Sequence, residues 1–234
     1  NFDITEDPEA DGVELNGKKI MEAIGHVIYA AADGGANTQM TGIYFEGTDS
    51  GVSLAALDGH VVAVDSVKAE GAKDMKLKKL ISMGVIDDVT LTYTKNSAVF
   101  KSDEYTIYTR LITGNYFPYQ KMFTDGEINT CASRTALIGA MTRAKMCTEE
   151  KQPAVFQIED DVLNISIRDK LADYQEQVPL QETVCKSIRL GFDSKLVLET
   201  LKAFTCDNIA LGFTSPRTPM IVEAMVLPVA IREA

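Results

Sequence analysis

The feature that most constrains this chain is an order of elements that occurs twice. A short apolar run, Val13-Glu14-Leu15, leads into an amphipathic helical segment and then into a series of short alternating runs. Glu127-Ile128-Asn129 leads into the same succession at an offset of about 115 residues, the size of an ordinary domain. Two domains of one kind are the simplest account. The reading divides the chain into a linker over 1–11, a first domain over 12–123 and a second over 124–234, meeting near Phe123 to Gly126. The opening at Asn1, without Met, fits a chain continuing from a preceding domain.

Four segments carry helical periodicity. Gly17 to Ala32 aligns Ile20, Ile24, Val27, Ile28 and Ala31 behind an Asn16 cap; Ser133 to Cys147 aligns Leu137, Ile138, Met141 and Ala144; Ser194 to Phe204 aligns Val197, Leu198, Leu201 and Phe204. Met75 to Met83 is a shorter fourth segment. Between them lie alternating or apolar runs bounded by Gly, Asp, Asn and Pro: Gly42 to Glu46, Val52 to Ala56, Val61 to Val67, Val89 to Thr94, Tyr105 to Ile112, Val155 to Ile158, Val162 to Ile167 and Ile209 to Phe213. These read as antiparallel strands, and the fold class is α+β, with two helices per domain packed on antiparallel sheet.

Composition excludes more than it assigns. With 45% hydrophobic and 24% charged residues the chain is globular. The acidic start Asn1 to Asp7 is no signal peptide, and no run is apolar enough to span a bilayer, so the expected setting is cytoplasmic, without membrane contact. Cys131, Cys147, Cys185 and Cys206 form no CxxC pair and read as reduced, mostly buried thiols. With only His26 and His60, metal chemistry built on several imidazoles is out of reach, and no metal or cofactor is expected.

A net charge of −11 argues at first against nucleic acid, but its distribution is uneven. Lys18, Lys19 and Glu22 leave the first helical segment at +1; Lys76, Lys78 and Lys79 put the 75–83 segment at +3; Arg134, Arg143 and Lys145 give the next +3; Lys195, Glu199 and Lys202 leave the last at +1. Together the four carry +8 and the remainder −19. One reading is a solvated face, since Lys and Arg favour helices. The other is a directed field, positive on the helical side and negative on the sheet side, suited to weak, sequence-blind attraction to DNA.

Several segments together resemble one family. Val52-Ser53-Leu54-Ala55-Ala56-Leu57-Asp58-Gly59-His60-Val61-Val62-Ala63 resembles the strand, Asp-Gly-His turn and returning strand of the bacterial sliding clamp, the beta subunit of DNA polymerase III, and Thr41 to Glu46 fits the strand before it. Arg110 to Tyr119 looks like that family's Leu-x-x-Gly-x-(Phe/Tyr)-Pro segment. Leu190-Gly191-Phe192-Asp193 and Val226-Leu227-Pro228-Val229 resemble its last domain.

The match covers the family's middle and C-terminal domains. It implies tandem DNA-clamp domains and a non-catalytic processivity factor that encircles duplex DNA and tethers the replicative polymerase. In the family, three domains per subunit and two subunits head to tail close a ring lined by helices. A chain without the N-terminal domain should not close one.

The resemblance also assigns sites. A partner-peptide pocket between the domains would use Met40, Leu57, Gly59, His60, Val61 and Val62, with Phe117, Pro118, Lys121 and Met122, and Pro219, Met225, Val226, Leu227, Pro228 and Val229. It would accept a short Gln- and Leu-containing peptide from the polymerase, the clamp loader and repair proteins, an apolar trough suiting several partners. The DNA-facing candidates are Lys19, Lys78, Lys79, Arg134, Arg143, Lys145 and Lys202. Ordinary core and solvated surface are the competing readings for these groups.

Three departures stand out. Val61 and Ala230 replace family arginines that border the pocket. Only Glu223-Ala224 separates two strand-like runs where the family has a longer loop, and 75–80 is short for a strand plus helix, implying missing loop residues at both places.

His60 beside Asp58 invites an acid–base reading, yet neither a nucleophile nor an oxyanion loop accompanies them; a structural Asp-Gly turn is expected, and no catalytic residue. The alternative function is a duplicated α+β interaction module with no DNA role.

Overall fold

The computed structural model describes residues 12–35, 37–70, 72, 76–78, 88–112, 114–123, 126–147, 152–168, 173–222 and 224–226, with backbone alone at 76–78, 183–185 and 224–226. The chain divides into two compact units, Asn1–Tyr119 and Gln120–Ala234.

In the first unit, β1 (Val13–Leu15) runs directly into α1 (Gly17–Val27). The Asn16 side chain caps the helix, accepting from the Lys19 amide at 3.1 Å. Asp88 adds an anion at the same end: its carboxylate accepts from Gly17 N at 3.0 Å and Asn16 Nδ2 at 2.8 Å. Two donors that a helix start leaves unpaired are thereby satisfied. Ile20, Ala23, Ile24 and Val27 form the buried stripe. The helix is shorter than the periodicity suggested. Ile28–Ala30 tightens into a 3-10 turn, and Ile28 and Ala31 are only half-buried.

The strands that follow are β2 (Tyr44–Thr48), β3 (Gly51–Leu57), β4 (Val61–Lys68), β5 (Lys76–Lys78), β6 (Val89–Tyr93), β7 (Ser97–Lys101) and β8 (Thr106–Arg110). One sheet runs β1-β6-β7-β8 and a second β4-β3-β2-β5, all antiparallel. α1 packs on β3 and β4. Gly51 makes the β2–β3 hairpin possible, for its φ is +151° and a Cβ there would lie 2.0 Å from the Val67 carbonyl oxygen.

The helix expected over 75–83 is corrected in part. Lys76–Lys78 is a strand, pairing Lys78 with Tyr44 and Lys76 with Glu46. Lys and Leu have good helix propensity, but the Lys-Leu-Lys alternation also suits an edge strand, and pairing with β2 decides the outcome. Residues 79–83 lie outside the described set, so the described part of this unit holds one α-helix.

In the second unit, β9 (Ile128–Ser133) runs into α2 (Arg134–Met146), repeating the β1–α1 step. β10 (Ala154–Arg168), β11 (Asp173–Phe192), α3 (Ser194–Ala203), β12 (Asn208–Phe213), β13 (Met220–Val222) and β14 (Ala224–Val226) follow. The sheet order is β10-β11-β9-β12-β13-β14. α2 and α3 pack together, each capped by its preceding residue. Ser133 Oγ accepts from Ala136 N, and the Asp193 carboxylate accepts from Lys195 N and Leu196 N.

The two strands expected at 155–158 and 162–167 are one bent strand. Ala154, Phe156 and Ile158 are buried, then Leu163, Ile165 and Ile167, so the inward face changes parity between them. Asp160, at φ +53°, sits at the register shift that makes this possible. A bulge of this kind flips every later side chain while both halves stay on the core. Phe156 and Phe192 meet edge to face there, centroids 5.2 Å apart.

β13 and β14 pair with Val222 opposite Ala224; Glu223, between them, lies outside the described residues. Cys131, Cys147 and Cys206 are free and half-buried, more accessible than the sequence suggested: Cys131 lies on the less buried face of β9, Cys147 just past α2 and Cys206 between α3 and β12. No described helix is long and apolar enough to cross a membrane.

Candidate nucleic-acid and partner-binding surfaces

The Asp58-Gly59-His60 turn joins β3 to β4. The Asp58 carboxylate accepts from His60 N at 2.8 Å and Val61 N at 2.9 Å, while Asp58 N donates to Val61 O at 3.3 Å. Gly59 supplies the left-handed φ of +93°. Asp58 is thus engaged in holding the turn. Around it Leu57, Val61 and Val62 are buried at 3%, 0% and 2% exposure, so of these candidates only Gly59 and His60 reach the surface. Met40 is half-buried, in a 3-10 turn capped by Asn37.

The second group of candidates lies after Gly114, whose φ of +107° redirects the chain. Pro118 is spanned by a bond from Tyr119 N to Phe117 O of 2.8 Å, a three-residue turn. Phe117 is half-buried and Pro118 exposed, while Tyr119 is buried and Tyr116 partly so. Tyr116 stacks on Tyr44 with centroids 4.5 Å apart and rings 15° from parallel. Its hydroxyl donates to the Ala55 carbonyl at 3.3 Å. The Tyr119 hydroxyl donates to the Glu46 carboxylate at 3.3 Å and lies 3.3 Å from Ser53 Oγ. Burial, with the Glu46 carboxylate second, pushes the Tyr44 hydroxyl up to about 12, and burial raises Tyr116 likewise, so both stay neutral hydrogen-bonding groups. Sequence reasoning did not pick out Tyr44, Glu46, Tyr116 or Tyr119. The density of aromatics over 116–119 was the available signal.

In the second unit, Lys121 is exposed and Met122 is 42% exposed. Pro219 is half-buried and follows a turn closed by Thr218 N to Ser215 O at 3.1 Å. Met225 and Val226 are described as the backbone of β14; Leu227, Pro228 and Val229 lie outside the described residues.

The candidate DNA-facing cations divide. Lys19, Lys145 and Lys202 are exposed on α1, α2 and α3. Lys78 belongs to strand β5 and Lys79 lies outside the described residues. Arg134 is half-buried, with Nε donating to Cys206 O at 2.7 Å and Nη1 to Leu201 O at 3.4 Å. Its charge faces the C-terminal end of α3, where a helix favours cations. Arg143 forks onto Glu176, at 2.8 Å from Nε and 2.5 Å from Nη2. Tyr174 also donates to Glu176, at 2.5 Å, and to Ala140 O at 2.9 Å. Arg143, then Tyr174, holds the Glu176 carboxyl below its usual range; burial, then the bond to Glu176, raises Tyr174. Arg134 and Arg143 are therefore committed within their own unit, which weakens the simple picture of a bare cationic helical face.

Among the described residues no three His, Cys, Asp or Glu side chains gather as a metal site.

Residues 123–227 match the family described as DNA polymerase III beta subunit, C-terminal domain. A Beta sliding clamp of Staphylococcus aureus is 22% identical over 228 residues, covering 91% of this chain and 60% of that protein. The chain thus spans less than two thirds of that relative. The DNA polymerase III subunit beta of Pseudomonas aeruginosa superposes at a TM-score of 0.91 with 17% identity, over 98% of this chain and 68% of that one. The DNA polymerase sliding clamp of Bacillus subtilis does so at 0.89 with 17% identity, over 99% and 67%. The fold of both units is that of these clamps.

Proposed function

We propose, on the premise that the chain belongs to the bacterial sliding-clamp family, that it forms the two-domain part of a DNA polymerase processivity factor. Its work is topological and adhesive. It contributes to a ring around duplex DNA and presents a surface for short Gln- and Leu-containing peptides of the replicative polymerase, clamp loader and repair proteins. It carries no catalytic group of its own; synthesis belongs to the holoenzyme. The intact protein would close as a head-to-tail homodimer in the cytoplasmic replisome.

The observation that carries this reading is similarity to a Beta sliding clamp over 91% of the chain, joined to a clamp fold in both units. Each unit offers part of the peptide surface: Gly59, His60, Phe117 and Pro118 in the first, Lys121, Met122, Pro219 and the 225–229 segment in the second. Lys19, Lys145 and Lys202 supply diffuse positive charge for sequence-blind DNA contact. Fluorescence anisotropy with a fluorescein-labelled Gln- and Leu-containing peptide tests the placement. Leu227→Asp should weaken binding at least about tenfold, one 1.4 kcal/mol step, with the melting temperature unchanged. Wild-type affinity in that variant rejects it.

A second reading, an interaction module without a DNA role, gains support from the internal engagement of Arg134 and Arg143. It predicts no binding of the Gln- and Leu-containing peptide and no affinity for random-sequence duplex even at low salt. The clamp reading predicts weak duplex binding that fades with salt and ignores sequence.

A further inference from the structure

The Gly114–Tyr119 segment is held on the first unit by a fixing that follows the sheet rung by rung. In the β2–β3 ladder Tyr44 lies opposite Ala55 and Glu46 opposite Ser53. These are successive same-face rungs, because side chains alternate along a strand with a period of two. Tyr116 engages the first rung at both ends, its ring on Tyr44 and its hydroxyl on the Ala55 carbonyl. Tyr119 engages the second, its hydroxyl between Glu46 and Ser53. The rings of Tyr116 and Tyr119 also meet edge to face at 6.3 Å, so the two anchors brace each other.

The residues between the anchors are Phe117 and Pro118. Tyr116 and Phe117 are near-perpendicular, 6.3 Å apart and 74° between planes, so anchoring one ring sets the direction of the other. The three-residue turn across Pro118 leaves the pair little backbone freedom. The strand that receives both anchors, β3, ends two residues after Ala55, at Leu57, and passes into the Asp58-Gly59-His60 turn. Within this unit, the two stretches assigned to peptide binding are therefore tied to one strand.

We propose that Tyr116, stacked on Tyr44, is a positioning residue of the partner-peptide surface: it touches no peptide itself and fixes Phe117 and Pro118 relative to the β3–β4 turn. This rests on the proposed function, which places Phe117 and Pro118 in the peptide surface. The physical content is preorganisation. A surface already in its binding geometry spends no affinity on ordering itself, and a loosened segment spends some.

The test uses the whole chain, the same labelled peptide, and four variants measured well below their melting temperatures. Tyr116→Ala should weaken binding about tenfold, equivalent to ~1.4 kcal/mol. Tyr116→Phe, which keeps the stack and loses only the bond to Ala55, should recover most of it. Phe117→Ala tests the contact itself and should weaken binding directly. Tyr108→Ala, on β8 of the other sheet, serves as a general destabilisation control and should leave affinity unchanged. Loss in Tyr116→Ala and Phe117→Ala, recovery in Tyr116→Phe and no loss in Tyr108→Ala establishes positioning. Wild-type affinity in Tyr116→Ala alongside loss in Phe117→Ala overturns the positioning role and leaves the peptide surface standing. Wild-type affinity in both overturns the placement of the surface and the inference with it. Equal loss in Tyr116→Ala and Tyr108→Ala, tracking their melting temperatures, reduces Tyr116 to a fold residue and also overturns the inference.

Discussion

Arg134→Ala separates two roles for one cation. The guanidinium bonds the Cys206 carbonyl at 2.7 Å and the Leu201 carbonyl at 3.4 Å, joining the first turn of α2 to the end of α3. A bond with a charged partner contributes ~1.5–3 kcal/mol, and the longer contact is at the edge of useful geometry. Because the side chain is half-buried, the lower part of that range applies, giving a loss of about 2 kcal/mol after a small helix-end term of ~0.3–1 kcal/mol is included. For a unit of this size that lowers the melting temperature by roughly 8 °C. Arg134→Lys keeps the charge but loses the planar fork, and should fall between wild type and Ala. Urea and thermal unfolding measure the stability; duplex binding across a salt series measures the other role. If Arg134 serves chiefly as a phosphate contact, the Ala variant loses ~0.9 from the salt slope, Lys restores it, and the unfolding midpoint does not move. That outcome would show that Arg134 does not tie α2 to the end of α3.

Glu176→Gln should flatten the acid limb of stability. The Glu176 carboxyl is held below its usual value of 4.5, so its contribution is complete above that pH and disappears as pH falls through the lowered folded value. Exposure keeps the effect small, and a thermal-melting series from pH 7 to about pH 2 would show wild type converging on the variant only at the acid end. Gly51→Ala should destabilise by roughly 1–3 kcal/mol, since its φ of +151° and the Val67 carbonyl 2.0 Å from the added Cβ oppose any side chain; an unchanged urea midpoint would show that the hairpin adjusts freely.

How much of this could be read from residues depends on how local each cause is. α1, α2 and α3 were legible because their stripes and caps are written within a dozen positions: Asn16, Ser133 and Asp193 each sit at a helix start and accept from its free amides. β11 was not. Its stretch Tyr174-Gln175-Glu176-Gln177 is polar on both faces and is followed by Pro179, which no central strand should tolerate. It is a strand because β10 pairs with it across the hairpin, and Pro179 falls beside the register shift, where a missing donor costs little. β5 was misread because helix propensity is local and its pairing with β2 is not.

The same limit governed the candidate sites. The Asp58-Gly59-His60 turn was legible as a turn, and its carboxylate does bond the two following amides. Neither the Glu176 partner of Arg143 nor the Leu201 and Cys206 carbonyls that hold Arg134 lie within local reach, being 33 and 67 or more residues away. The Tyr44–Tyr116 stack spans a similar gap, between a strand and a segment each legible locally while their pairing is not.

Hydrogen–deuterium exchange of the whole chain, with and without the Gln- and Leu-containing peptide, reads the proposed peptide surface segment by segment. Added protection is expected only at amides within 57–62, 117–122 and 219–229. Protection elsewhere, or none at peptide concentrations that saturate an authentic bacterial clamp, would contradict it.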